Sequence, residues 1–219
     1  MRKEEGDFSL NEKNIFSLDR LGSEENFESG TNLTLGLDYE IDNNENKFNF
    51  SIGQIINEKK NNKNMPASSS LDDRFSDVTG NFGFNNNNLK LDYNYSLDQN
   101  YKEMNYNEVN LDYDVNNFKV YFDYLNEDKI NSVKEYINSG IEIKKGNNGL
   151  FAFNSKRNLI TNSSEFYKLS YEYINDCLRA GLVYRREFYD DTEIESDNSL
   201  MFNITLNTFG SVNSPKFSQ

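Results

Sequence analysis

Apolar and polar residues alternate with a period of two along most of this chain, the signature of strands with one apolar and one polar face. In NLTLGLDYEI the apolar row is Leu33, Leu35, Leu37, Tyr39 and Ile41, and in KFNFSIGQII it is Phe48, Phe50 and Ile52. Phe82 and Phe84 follow, then Leu89, Leu91, Tyr93, Tyr95 and Leu97, then Val109, Leu111, Tyr113 and Val115, then Phe118, Val120, Phe122 and Tyr124. SGIEIKK (Ile141, Ile143) and LFAFNSK (Phe151, Phe153) carry the weakest alternation. Tyr167, Leu169, Tyr171 and Tyr173, then Leu178, Ala180, Leu182 and Tyr184, then Leu200, Phe202, Ile204 and Leu206 complete the series. The pattern predicts eleven strands and no helix.

The connections alternate too. DNNENK, NNNN, NN, KGNNG and ND are short turns after every odd strand, whereas the stretch NEKKNNKNMPASSSLDDRFSD and the segments NEDKINSVKE, RNLITNSSE and YDDTEIESDN predict longer loops. DQNYKE, between the fourth and fifth strands, is only modestly longer than a turn. All short turns then lie at one end of the sheet, as in outer-membrane barrels with short periplasmic turns and longer extracellular loops. The fold class this predicts is all-β, an antiparallel transmembrane β-barrel segment whose apolar row meets lipid. A soluble antiparallel sandwich shows the same alternation strand by strand and is the competing architecture.

Strand parity bears on completeness. Bacterial single-chain barrels have even strand numbers, and eleven strands with this turn polarity leave one terminus on the wrong side. The expectation is that at least one strand precedes Met1. Residues 1–30 are then the remnant of an extracellular loop, 31–209 the C-terminal strands of a larger barrel, and 210–219 a tail. The start MRKEEGDFSL has a basic beginning but no apolar core of a secretory signal. That fits a cytoplasmic protein or, on the parity argument, a chain lacking its beginning.

Composition removes several functions. The net charge is −13, which argues against a nucleic-acid partner. There is no His and no Trp, so zinc sites and His-based acid–base or triad chemistry lose their usual residue. No stretch approaches the ~18 apolar residues of a transmembrane helix. Mean hydropathy is −0.84, yet 14% of the residues are aromatic, too many for a disordered tail. No cofactor is expected, and no enzymatic activity. Asp190, Asp191, Glu193 and Glu195 lack the spacing and central Gly of a calcium loop and read as a solvated loop. Arg185 and Arg186 read as surface ion-pair partners. GNFG and KKGNNG do not open a helix after a strand, so neither cradles phosphate. Tyr93, Tyr95, Tyr171, Tyr173 and Tyr184 fit interfacial aromatic girdles if the barrel holds, and a buried core if the sandwich does.

Three segments together resemble one family. NIFSLDRLGSEENFESGTNLTLGLDYE near the start, EFYKLSYEYINDCLRAGLVYRREFYDD and NSLMFNITL near the end are similar to the C-terminal part of the barrel of the LptD family, the lipopolysaccharide-assembly (organic solvent tolerance) proteins. The likeness is weakest in the middle strands. It implies transport of lipopolysaccharide (LPS) at the bacterial cell outer membrane, with insertion into the outer leaflet through a lateral gate. It implies as partners LPS, an LptE-like plug lipoprotein, periplasmic LPS-bridge proteins reached through an N-terminal domain not in this chain, and outer-membrane lipid. By the same likeness the last strand is one wall of the gate, with Asn203, Thr205 and Asn207 toward the lumen and Leu200, Phe202, Ile204 and Leu206 toward lipid. Members of the family tie the hairpin around Cys177 to the N-terminal domain by disulfide. Many carry two adjacent cysteines there, whereas here Leu178 follows Cys177, which leaves a double bridge in doubt. The other functional classes are a small outer-membrane pore or channel and a soluble extracellular β-sandwich binding module.

Overall fold

A chain that is apolar at every second position separates its two rows cleanly only as a pleated strand. The computed structural model describes residues 10, 14–17, 20, 30–60, 71, 73–129, 132–188, 197–206, 210–213 and 217–218. Among the described residues there are thirteen strands and no helix. They are β1 (Asn32–Asn43), β2 (Asn46–Asn57), β3 (Val78–Asn86), β4 (Leu89–Leu97), β5 (Met104–Val115), β6 (Phe118–Lys129) and β7 (Ser132–Lys145), followed by β8 (Gly149–Asn158), β9 (Ser163–Ile174), β10 (Leu178–Glu187), β11 (Asp197–Leu206), β12 (Gly210–Asn213) and β13 (Phe217–Ser218). They belong to one sheet ordered as the chain runs, from β1 to β12, with β13 also pairing β11. Two compact units divide it, residues 1–109 with 125–134 and residues 110–124 with 135–219.

In the first unit, β1 and β2 pair antiparallel over their whole length, from Asn32↔Asn57 to Asn43↔Asn46. β2–β3 and β3–β4 continue the ladder with Phe50↔Phe82 and Phe82↔Tyr93 in register. In the second unit, β8, β9, β10 and β11 form an antiparallel meander through Phe151↔Tyr171, Leu182↔Tyr171 and Leu182↔Phe202. Each register puts apolar residues opposite apolar residues, since a slip by one residue would exchange the faces.

Asparagine closes the tight turns. Asn43 Oδ1 accepts from the amide of Asn46 at 2.8 Å, and Asn86 Oδ1 accepts from Leu89 at 2.7 Å. In the second unit Asn175 Oδ1 accepts from Cys177 and Leu178 at 3.0 and 2.7 Å. An Asx side chain that bonds backbone two or three residues on substitutes for a turn hydrogen bond. Asn116 and Asn162 take left-handed backbone conformations, φ 52° and 53°, which Asn tolerates better than most residues.

Two sequence expectations are corrected. NEDKINSVKE is not a long loop: β6 runs to Lys129 and β7 starts at Ser132. RNLITNSSE contracts to a turn at 159–162, since β8 reaches Asn158 and β9 begins at Ser163. Polar residues extend these ladders because pairing needs only backbone groups. The C-terminal tail contributes β12 and β13. The loop 188–196 lies mostly outside the described residues, and with it Asp190, Asp191, Glu193 and Glu195. Residues 1–30 are described only at residues 10, 14–17, 20 and 30.

Candidate functional site

The sheet presents two unlike faces. In the first unit, Leu33, Leu35, Leu37, Tyr39 and Ile41 stand exposed along β1, Leu37 at 58%. Aromatic rings continue that face: Phe48 meets Phe82 edge-on at 5.2 Å between centroids, and Tyr93 stacks on Tyr95 at 5.6 Å. Gly80 makes room for the Tyr95 ring, since a Cβ there would collide with the phenol and with the Ser51 carbonyl. In the second unit one face carries Phe151, Phe153, Leu169, Tyr171, Tyr173, Leu182 and Tyr184, all exposed. Phe151 and Tyr171 lie 4.5 Å apart. Soluble monomers rarely expose contiguous apolar surface of this extent.

The opposite face is polar. Across β2, β3, β4 and β5, Asn49 donates to Asn81, Asn81 to Asn94 Oδ1 at 2.6 Å, and Asn94 to Glu108 Oε2 at 2.9 Å. Tyr106 also donates to that carboxylate oxygen, at 2.9 Å. Asp77 Oδ2, on a buried residue, accepts from Ser96 at 3.1 Å and Asn105 at 2.7 Å. In the second unit, Arg179 forks onto Glu172, and Lys156 pairs with Glu165 at 2.7 Å. Arg185 pairs with Glu187 at 2.6 Å and lies over the Phe166 ring, while Arg186, which ends the apolar row of β10, lies over Phe188. Both arginines are thus locally engaged.

One apolar patch interrupts the polar face. Ile55 is fully buried there with Leu10, Ile15 and Leu71. The paired glycines Gly36 and Gly53 let Ile15 and Phe16 approach the backbone. Arg20 fastens the segment, donating to the Ile15 carbonyl and to Thr34 Oγ1, each at 2.8 Å. Residues 74–76 hold the far side through Asn57 to the Arg74 carbonyl and Ser76 to the Ile55 carbonyl. The sequence signal for this patch is the adjacent pair Ile55-Ile56, which breaks the period-two rule and forces one isoleucine onto the polar face.

β11 places the residues proposed for a gate on its two faces. Leu200, Phe202 and Leu206 are exposed, Phe202 at 47%, and Ile204 is half-buried on the same face. Their partners on β10 are Tyr184, Leu182, Leu178 and Ala180. Asn203 and Thr205 stand on the other face, opposite Gly181 and Arg179. A Cβ on Gly181 would overlap Asn203 Oδ1, so that glycine is the seat of the amide. Asn207 lies outside the described residues. Cys177 is an exposed free thiol in the turn 175–177 between β9 and β10. Among the described residues no cluster of His, Cys, Asp or Glu is arranged to hold a metal.

Comparison with known families gives one match. The family model described as LptD, LPS transport system D, matches residues 5–145, covering β1 to β7. The hairpin around Cys177 and the strand β11 lie beyond it. No curated protein matches the chain.

Proposed function

The chain belongs to the LptD family of LPS transport components, an outer-membrane and non-enzymatic family, and we propose from that premise that it forms part of the wall of an LPS-translocating barrel. The observation that carries this reading is the two-faced sheet. An exposed row of Leu, Ile, Phe and Tyr lies on one side, and linked amides and ion pairs lie on the other. In a barrel the first face contacts lipid and the second a wet lumen, with every backbone group paired. A sandwich would instead cover the apolar face with a second sheet, and all described strands belong to one.

In this reading β11 is one side of the lateral gate. Asn203 and Thr205 offer neutral hydrogen-bonding groups to the sugar and phosphate of a passing LPS headgroup, while Leu200, Phe202, Ile204 and Leu206 border the acyl chains. An LptE-like lipoprotein plugs the lumen. LPS-bridge proteins deliver cargo from the periplasm, and the exposed Cys177 tethers the short-turn end to a cysteine outside this chain.

A photo-reactive phenylalanine analogue at position 203 or 205, in the cells that make the protein, tests the gate. An ultraviolet-dependent adduct reacting with an LPS antibody is the expected result. No LPS adduct at either position, with the protein folded in the membrane, overturns it and favours a diffusive pore.

A further inference from the structure

The apolar face of the second unit ends in arginine. On β10 the exposed row of Leu182 and Tyr184 continues to Arg186, and on β8 the row of Phe151 and Phe153 continues through Ser155 to the exposed Arg157. Tyr167 on β9 stands between the two rows, as the register partner of both Ser155 and Arg186. Both arginines lie at one end of the strands. On β10 that end leads into the connection 188–196, opposite the turn 175–177.

These two side chains are positioned but not used up. The Arg186 guanidinium lies 4.8 Å over the Phe188 ring, Phe188 meets Tyr167 edge-on at 5.6 Å, and Tyr167 stacks on Phe153 at 6.3 Å. A guanidinium lying over a ring keeps N–H donors at its edge, and its planar fork matches two phosphate oxygens. Among the described residues Arg186 makes no hydrogen bond or ion pair, and Arg157 gives one bond, to Asn162. The cations on the polar face of the same strands differ. Lys156 and Arg185 there meet Glu165 and Glu187.

The chain carries a net charge of −13, so two guanidinium groups without carboxylates on an apolar face are a local exception. Such a spot attracts an anionic headgroup that the rest of the chain repels. In a barrel wall, longer connections mark the extracellular end, which puts both arginines at the level of the outer-leaflet headgroups. They stand two strands apart and are offset by two residues along the strand, a Cα separation of roughly 12 Å. That spacing suits two phosphates carried on one saccharide better than the single phosphate of a glycerophospholipid.

We propose that Arg157 and Arg186 seat the phosphates of one LPS molecule against the outside of the wall, with its acyl chains along Leu169, Leu182 and Tyr184. The seat rests on the transport reading above. Since β10 borders β11, it holds LPS on the membrane side, one strand from the proposed gate.

The test places a photo-reactive phenylalanine analogue at position 155, between the two arginines, in the cells that make the protein. The expected result is an ultraviolet-dependent LPS adduct whose yield falls about tenfold when Arg157→Gln and Arg186→Gln are combined. Arg179→Gln, on the polar face at the other end of β10, should leave the yield unchanged. Each variant must keep its folded, heat-modifiable band. Arg157→Lys with Arg186→Lys, which preserves the charge, should hold the yield within about twofold of the parent. No LPS adduct at 155, an undiminished yield in the glutamine pair, or a lysine pair as deficient as the glutamine pair would each overturn the seat. Adducts of glycerophospholipid in place of LPS would overturn it too. LPS adducts at 203 or 205 with none at 155 remove the seat and leave the gate standing, so the two readings fail separately.

Discussion

Replacing Leu182 by Arg separates a lipid-facing sheet from a water-facing one. Leu182 is the fifth of ten residues in β10 and is 46% exposed on the apolar face. Ten residues at ~3.3 Å each, tilted by ~40°, rise about 25 Å, the height of the apolar band of an outer-membrane barrel. If the strand spans a bilayer as proposed, Leu182 lies near the mid-plane. An arginine there costs about 2–4 kcal/mol in a bilayer, while a surface substitution in water stays within about 0.5 kcal/mol. Val183, the next residue, points to the polar face opposite Ser170 and Met201, so Val183→Arg is the matched control and should cost less than about 1 kcal/mol. At about 1.4 kcal/mol per factor of ten, the first substitution lowers the folded-to-unfolded ratio by about thirty- to several-hundredfold. The assay is urea unfolding in isolated outer-membrane vesicles, read as the folded band on unheated gels. An unchanged midpoint for Leu182→Arg, or a larger loss for Val183→Arg, would refute the assignment of the faces.

Three further outcomes follow from the packing. Ile55→Ala removes three carbons from a fully buried site, worth about 2.4 kcal/mol at about 0.8 kcal/mol per carbon. Tryptic cleavage after Arg20 should accelerate about fiftyfold if that loss falls on local release of the segment, and Leu37→Ala on the exposed face should leave the rate unchanged. Gly140→Ala should cost about 1–3 kcal/mol by overpacking, because the three atoms nearest to its Cβ would all belong to Tyr121. The loss should largely disappear in a Tyr121→Ala background, a non-additivity that a double-mutant cycle in urea would read. If Cys177 is tethered as proposed, a bulky maleimide should label it in native membranes only after reductant. Immediate labelling without reductant would leave it as the free thiol of this chain.

The strands were readable because period-two alternation is a direct imprint of the pleat. The eleven alternating segments mark β1 to β11, and the exposed row of β11 follows from the same arithmetic. What escaped was whatever depends on backbone alone or on register. The polar end of β6 and start of β7 carry no apolar row, yet their ladder continues. β12 is a four-residue GSVN whose pairing is set by the neighbouring edge of β11 rather than by its own composition. Asparagines in sequence look like turn residues, and Asn43, Asn86 and Asn175 are. Asn49, Asn81 and Asn94 are the same residue type in strand interiors, and only the pairing of β2, β3 and β4 brings them together.

That row of amides has a polarity. Each asparagine gives an N–H to the next strand, Asn81 and Asn94 each take one from the strand before, and the sequence of donations ends on Glu108, which when ionised can only accept. With its terminus fixed, the row has a single sense. Turning one amide over would set two donors or two acceptors face to face, so all must turn together or none. The carboxylate therefore acts as an anchor for the orientation of side chains three strands away. Replacing it with the two-way amide of glutamine would keep every contact and abolish the direction.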